Sequence, residues 1–169
     1  MRFIIVLIII FVAVKWFLKK RDEKANEKVS NGDLDTLISR ILYDFDTVRA
    51  HHSQFDTAIG ILSHPVIVNG KPTGEVSKLL SIRVDDETGK NKELAEQLGM
   101  RITYLEEKNC YMYEIIEQHG LSASEKKAVV KRLASLIGEQ YPDDLVMYKD
   151  GDMILSVGVG LRSAVDYIK

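Results

Sequence analysis

Twelve consecutive apolar residues, Phe3 to Val14, open the chain and leave no polar position on any side of a helix. Such a helix cannot bury one face and show the other to water, so it must be covered all round. Lys15 interrupts the run, Trp16-Phe17-Leu18 resume it, and Lys19-Lys20-Arg21 end it. With Lys15 snorkelling toward that cluster, residues 1–18 reach about 27 Å as a helix, near the roughly 30 Å of bilayer hydrocarbon. The expectation is an uncleaved transmembrane helix, a signal-anchor, with Lys15, Trp16, Lys19, Lys20 and Arg21 at the membrane interface. A cleaved signal peptide fits less well, because the charges follow the apolar core and no small-x-small pair marks a cleavage site.

Charge is segregated along the chain. Residues 1–28 carry seven basic and three acidic side chains, while the other 141 residues carry 16 basic and 22 acidic ones. Most of the basic flank lies after the apolar run, which by the positive-inside rule puts the body in the cytoplasm of a single-pass inner-membrane protein. A periplasmic body is the alternative. An acidic body with a basic apolar head argues against a nucleic-acid partner. The single cysteine, Cys110, excludes an internal disulfide framework and a Cys-based zinc site.

Residues 19–32 have no apolar period and read as a charged juxtamembrane linker. Next come Leu34, Ile38, Ile41, Phe45, Val48, His52, Phe55, Ile59 and Leu62, spaced alternately by four and three. That is a heptad seam broken only by His52, and it predicts one helix over 33–63, capped by Asp33 and stopped at His64-Pro65. Flanking pairs Leu37/Leu42, Asp44/Arg49 and His51/Asp56 contain no like charges, which suits a parallel homo-oligomer. Packing of the same helix on its own domain is the equal alternative.

The remainder, 64–169, reads as a small α+β domain. Val66–Gly74 reads as a loop or short hairpin and Leu80–Val84 as a strand. Asn91–Leu98 reads as a helix ended by Gly99. Residues 100–105 and 110–116 suggest a hairpin, with a continuous helix over 91–119 as the competitor. Ser122 and Glu125 make a capping box for a helix bearing Val129, Val130, Leu133, Leu136 and Ile137 on one face. Asp150-Gly151 signals a second hairpin, and 161–168 a closing helix. From residue 80 this order is the split βαβ pattern of ferredoxin-like folds; a mostly helical bundle with one C-terminal β-hairpin is the alternative. In order of parts alone, the chain resembles the inner-membrane assembly-platform proteins of type IV pili and type II secretion, which carry their bodies in the periplasm.

No constellation for catalysis, a metal or a cofactor stands out. His51, His52 and Asp56 lack the i, i+4 histidine pair of a helix metal site. Asp85-Asp86-Glu87 matches no calcium-loop spacing, Gly158-Val-Gly160 lacks the rest of a phosphate loop, and Cys110 lacks a base. Tyr104, Tyr111 and Tyr113 have no basic sheet surface around them. The basic face Lys126, Lys127, Lys131 and Arg132 suits either water or anionic lipid. The reading is a non-catalytic, membrane-anchored interaction or assembly protein. Its partners are membrane lipid, further copies of itself and an unidentified protein. A tethered sensory or ligand-binding module and an enzyme without a recognisable motif are the alternatives.

Overall fold

The charged segment after the apolar run does not interrupt the first helix. In the computed structural model, which describes residues 2–51, 57–69 and 71–159, α1 runs unbroken over Arg2–Ser30. Lys and Glu are good helix formers, and Lys19 pairs with Glu23 one turn on at 3.9 Å. The expected linker over 19–32 is therefore helix almost to its end. Gly32 stops it. Its φ of +81° is a left-handed conformation, and it lets Gly32 N–H donate to the Val29 carbonyl and Asp33 N–H to that of Lys28, a Schellman motif.

No helix among the described residues is long and apolar enough to cross a membrane. The charge-free stretch 3–14 covers about 18 Å of the roughly 30 Å required, and three lysines and an arginine follow within seven residues. The transmembrane, signal-anchor and single-pass expectations are corrected on that finding.

The second helix, α2 (Asp35–His51), is also shorter than the heptad series implied. After it the chain makes a strand, β1 (Thr57–Val68), paired to β2 (Lys71–Asp86). Ile59 and Leu62 thus belong to a strand and not to a helix. Three residues apart, they point to opposite faces of the sheet, Ile59 into the main core and Leu62 into a small second cluster with Ala58, Val146 and Tyr148. The Asn69-Gly70 dipeptide stands where β1 gives way to β2, and Asn69 takes the left-handed φ of +51°.

The rest follows as α3 (Lys92–Gln97), β3 (Arg101–Leu105), β4 (Cys110–Ile116), α4 (Ala123–Gln140), β5 (Leu145–Asp150) and β6 (Met153–Val159). The 100–116 hairpin, the helix stop at Gly99, the capping box at Ser122 and the hairpin at Gly151 stand where the sequence suggested them. The closing helix over 161–168 lies outside the described residues.

All six strands form one sheet, ordered β3-β4-β2-β1-β6-β5. Every pairing is antiparallel. With six strands in one sheet, and β1 and β6 lying between β2 and β5, the sheet is larger than the small ferredoxin-like domain expected, so that expectation is overturned, and with it the helical-bundle alternative. Three sequential hairpins build a large sheet instead. Helices α2 and α4 pack on one face, burying Phe45, Val48, Val129, Leu133 and Ile137 against Ile59, Ile82 and Val157.

Candidate functional site

The two halves of α1 have opposite fates. Its second half is docked along α4: Ala25 is buried, Ser124 Oγ donates to Asp22 Oδ1 at 2.7 Å, and Lys28 Nζ reaches Glu125 Oε1 at 2.6 Å. Glu125 also accepts from the Ser122 backbone and hydroxyl at 2.9 and 2.7 Å. The Lys28 ammonium and these hydrogen bonds hold its carboxyl down at about 2. The first half touches none of this. Twelve large apolar side chains from Ile4 to Leu18 stand 50–63% exposed, and α1 projects from the body as an apolar stalk.

Lys15, Trp16, Lys19, Lys20 and Arg21 all lie exposed on the lower part of that stalk. Lys15 Nζ sits 5.0 Å over the Phe11 ring and Lys20 Nζ 5.1 Å over that of Trp16, cation–π contacts that fold the ammonium groups back along apolar stems. Two neighbouring clefts share Lys127, one where α1 meets the body and the other between the start of α4 and strands β1, β2, β5 and β6. One, of about 350 Å³, is lined by Asp22 and Asn26 of α1, Lys127 and Lys131 of α4, and Asp152 and Met153 at the β5–β6 turn. The other, of about 380 Å³, is lined by Lys78, Lys126, Lys127 and Asp150 beside Ile61 and Leu155.

The heptad residues lie elsewhere and are occupied. Ile38, Ile41, Phe45 and Val48 are buried in the main core, with Leu34 packed against it, and Leu37 and Leu42 join them. The amphipathic face of α2 is thus satisfied within the chain. His52 and Phe55 lie outside the described residues, and the helix is too short to carry the seam to Ile59 and Leu62.

One constellation gave no signal in the sequence. On the sheet face away from α2 and α4, Ser81 Oγ lies 3.0 Å from His64 Nε2, and His64 Nδ1 lies 2.9 Å from Glu114 Oε1. The order hydroxyl, imidazole, carboxylate is that of a nucleophile, base and orienting acid. All three are at most 2% exposed, so a substrate carbonyl has no approach to Ser81 Oγ in this arrangement. The three residues come from strands β1, β2 and β4, 17 and 33 positions apart in sequence, which is why no motif announces them.

Among the described residues, no group of three or more His, Cys, Asp or Glu is placed to hold a metal ion. The acidic turn shows why. Asp86 is fully buried and accepts from Thr88 N, Thr88 Oγ1 and Gly89 N through one oxygen, and from Asn91 N, Asn91 Nδ2 and Tyr113 Oη through the other. Burial pushes its carboxyl up, but these six donors outweigh that and hold it at about 2. Asp85 is held by Arg83 at 2.8 and 3.1 Å. Cys110 is buried, and burial, followed by the Asp85 charge, pushes its thiol up, away from a reactive thiolate.

No family model, curated protein or solved structure matches this chain.

Proposed function

We propose that this chain is a lipid-attached interaction module, in which the apolar half of α1 is held by acyl chains and the α+β body is displayed at the membrane surface. The supporting observation is the exposure of α1 at Ile4 and from Val6 to Leu18 while its other half is docked on α4. A helix that is apolar all round needs cover on every side, from acyl chains or from the inside of a protein core, and the cation-rich segment directly after it favours lipid. The basic flank favours attachment at the cytoplasmic leaflet. The body offers a protein partner the exposed apolar tip of the β1–β2 ribbon, at Ile67, Val68 and Val76. Pairing through the heptad face has no part in this reading, because α2 uses that face for its own core.

The test is flotation of the full chain with neutral phosphatidylcholine vesicles. The chain is expected to float with them and stay bound at high salt, since burial of apolar surface is not screened. Replacing Ile8 and Phe11 with Asp removes flotation without shifting the unfolding midpoint of the body. Failure to float, with the chain instead forming a discrete oligomer that protects the stalk, overturns the reading.

A further inference from the structure

We propose that the basic side chains ringing the base of the stalk form a docking surface for anionic phospholipid, with headgroup phosphates seated in the two clefts that share Lys127. This rests on the acyl-chain reading of α1 and adds a headgroup preference to it.

Asp22, tied to Ser124, is the contact nearest the projecting half of α1, and Leu18, one turn before it, is half exposed. Lys19, Lys20, Arg21 and Lys24 surround the stalk's exit from the body on α1. Across it, the first turns of α4 bring Lys126, Lys127 and Lys131, and β2 brings Lys78, into or beside the two clefts. Lys126 Nζ reaches the Lys78 carbonyl, which draws β2 into the same basic surface. If the stalk is in hydrocarbon, this ring stands at the level of the phosphates.

Opposing charges are present: Asp22, which accepts from Ser124, and Asp152 balance Lys127 and Lys131 in the first cleft, and Glu23 is paired with Lys19, so the excess of basic groups lies in the second cleft and on α1. Asp150 and Asp152 remain at the β5–β6 turn, on the cleft rims. The whole chain has a net charge of −2, so attraction to an anionic surface has to come from this segregated patch. Both clefts fall in the size range of small-ligand sites. Continuity with the apolar stalk favours lipid over a polyanion in solution, which has no use for an apolar helix.

Vesicles of phosphatidylcholine alone, and vesicles with about a third phosphatidylglycerol, separate acyl-chain attachment from headgroup preference. Partition of the full chain is expected to be roughly tenfold or more tighter on the anionic vesicles near 0.1 M salt, with the difference shrinking as salt rises. The triple variant Lys126→Gln, Lys127→Gln, Lys131→Gln should lose most of that difference and keep its binding to neutral vesicles; a circular dichroism spectrum like that of the unaltered chain confirms its fold. Equal partition on both vesicles, or a variant that keeps the full preference, overturns the proposal. Complete competition by inorganic phosphate also overturns it, by making free phosphate the occupant. Failure to bind neutral vesicles counts against the acyl-chain reading instead.

Discussion

His64 Nδ1 lies 2.9 Å from Glu114 Oε1, although the strand register sets His64 opposite Ser77 and Glu114 opposite Arg83, six residues further along β2. In a flat ladder six residues span about 20 Å, so the β1–β2 ribbon must curl over the sheet to bring the pair together. Both side chains are at most 1% exposed, and among the described residues neither Glu114 oxygen has a well-aligned donor. The contact is thus a buried imidazole–carboxyl pair with little hydrogen-bond support.

Breaking it from one side strands the other partner. His64→Leu is expected to lower unfolding free energy by about 2–3 kcal/mol, because it leaves the buried Glu114 carboxyl and Ser81 hydroxyl without their polar neighbour. The double variant His64→Leu with Glu114→Leu should recover much of that loss. Urea unfolding of the four species measures the coupling; strict additivity would show that the pair does not interact.

Acid should unfold the chain in part through Asp86. Its carboxyl is held at about 2 in the folded state, below the roughly 3.9 of an unfolded chain. Its contribution, about 2 kcal/mol, is complete above pH 4 and is lost as pH falls from about 4 to about 2. Asp86→Ala should remove that part of the pH dependence and free the 86–91 turn. Unfolding free energies measured from pH 6 to pH 2 test both statements.

The α2 face gives a direct test of whether its seam is internal. Phe45 is fully buried among α4 and strand residues, so Phe45→Ala should destabilise by about 3–5 kcal/mol. Phe45→Asp with Val48→Asp should unfold the body. A folded monomer from a dimeric parent, seen by light scattering, would instead place the seam between chains.

Gly60 permits a close approach that no other residue allows. A Cβ there would stand 2.4 Å from the Leu155 carbonyl oxygen and 2.5 Å from the Ser156 Cα. Backbone atoms cannot move aside as a side chain can, so Gly60→Ala should displace β6 from β1. Loss of amide protection at Val157 and Val159 in hydrogen exchange, with α4 still protected, is the expected signature.

Much of the chain's local structure could be read from its residues. Gly99, the Ser122–Glu125 box and Gly151 act within one turn of themselves, by backbone conformation and short hydrogen bonds, so their effects do not depend on distant partners. The Ser30-Asn31-Gly32 stop was an equally local signal, absorbed into the linker read over 19–32, while Asn69 fell within the loop or short hairpin read over Val66–Gly74. The heptad series across residues 33–63 hid the end of α2 and the start of β1. That series misled because spacings of three and four also occur where a helix ends and a strand begins. Thr57, Ile59 and Ile61 alternate around Gly60, and that period of two carried the correct signal.

The sequence by itself determined that an apolar segment opens the chain with a basic flank after it, and that helices and hairpins occupy most of 80–159. Tertiary structure decided three further things. Antiparallel pairing across β1, β2 and β6 joined hairpins into one six-stranded sheet, because long-range hydrogen bonds select register and neighbours that no local pattern encodes. Packing against α4 assigned α2 to the core and split α1 into docked and projecting halves, because burial depends on which surface happens to face a helix. Curling of the ribbon brought His64, Ser81 and Glu114 together, since contacts between residues far apart in sequence exist only once the chain has folded.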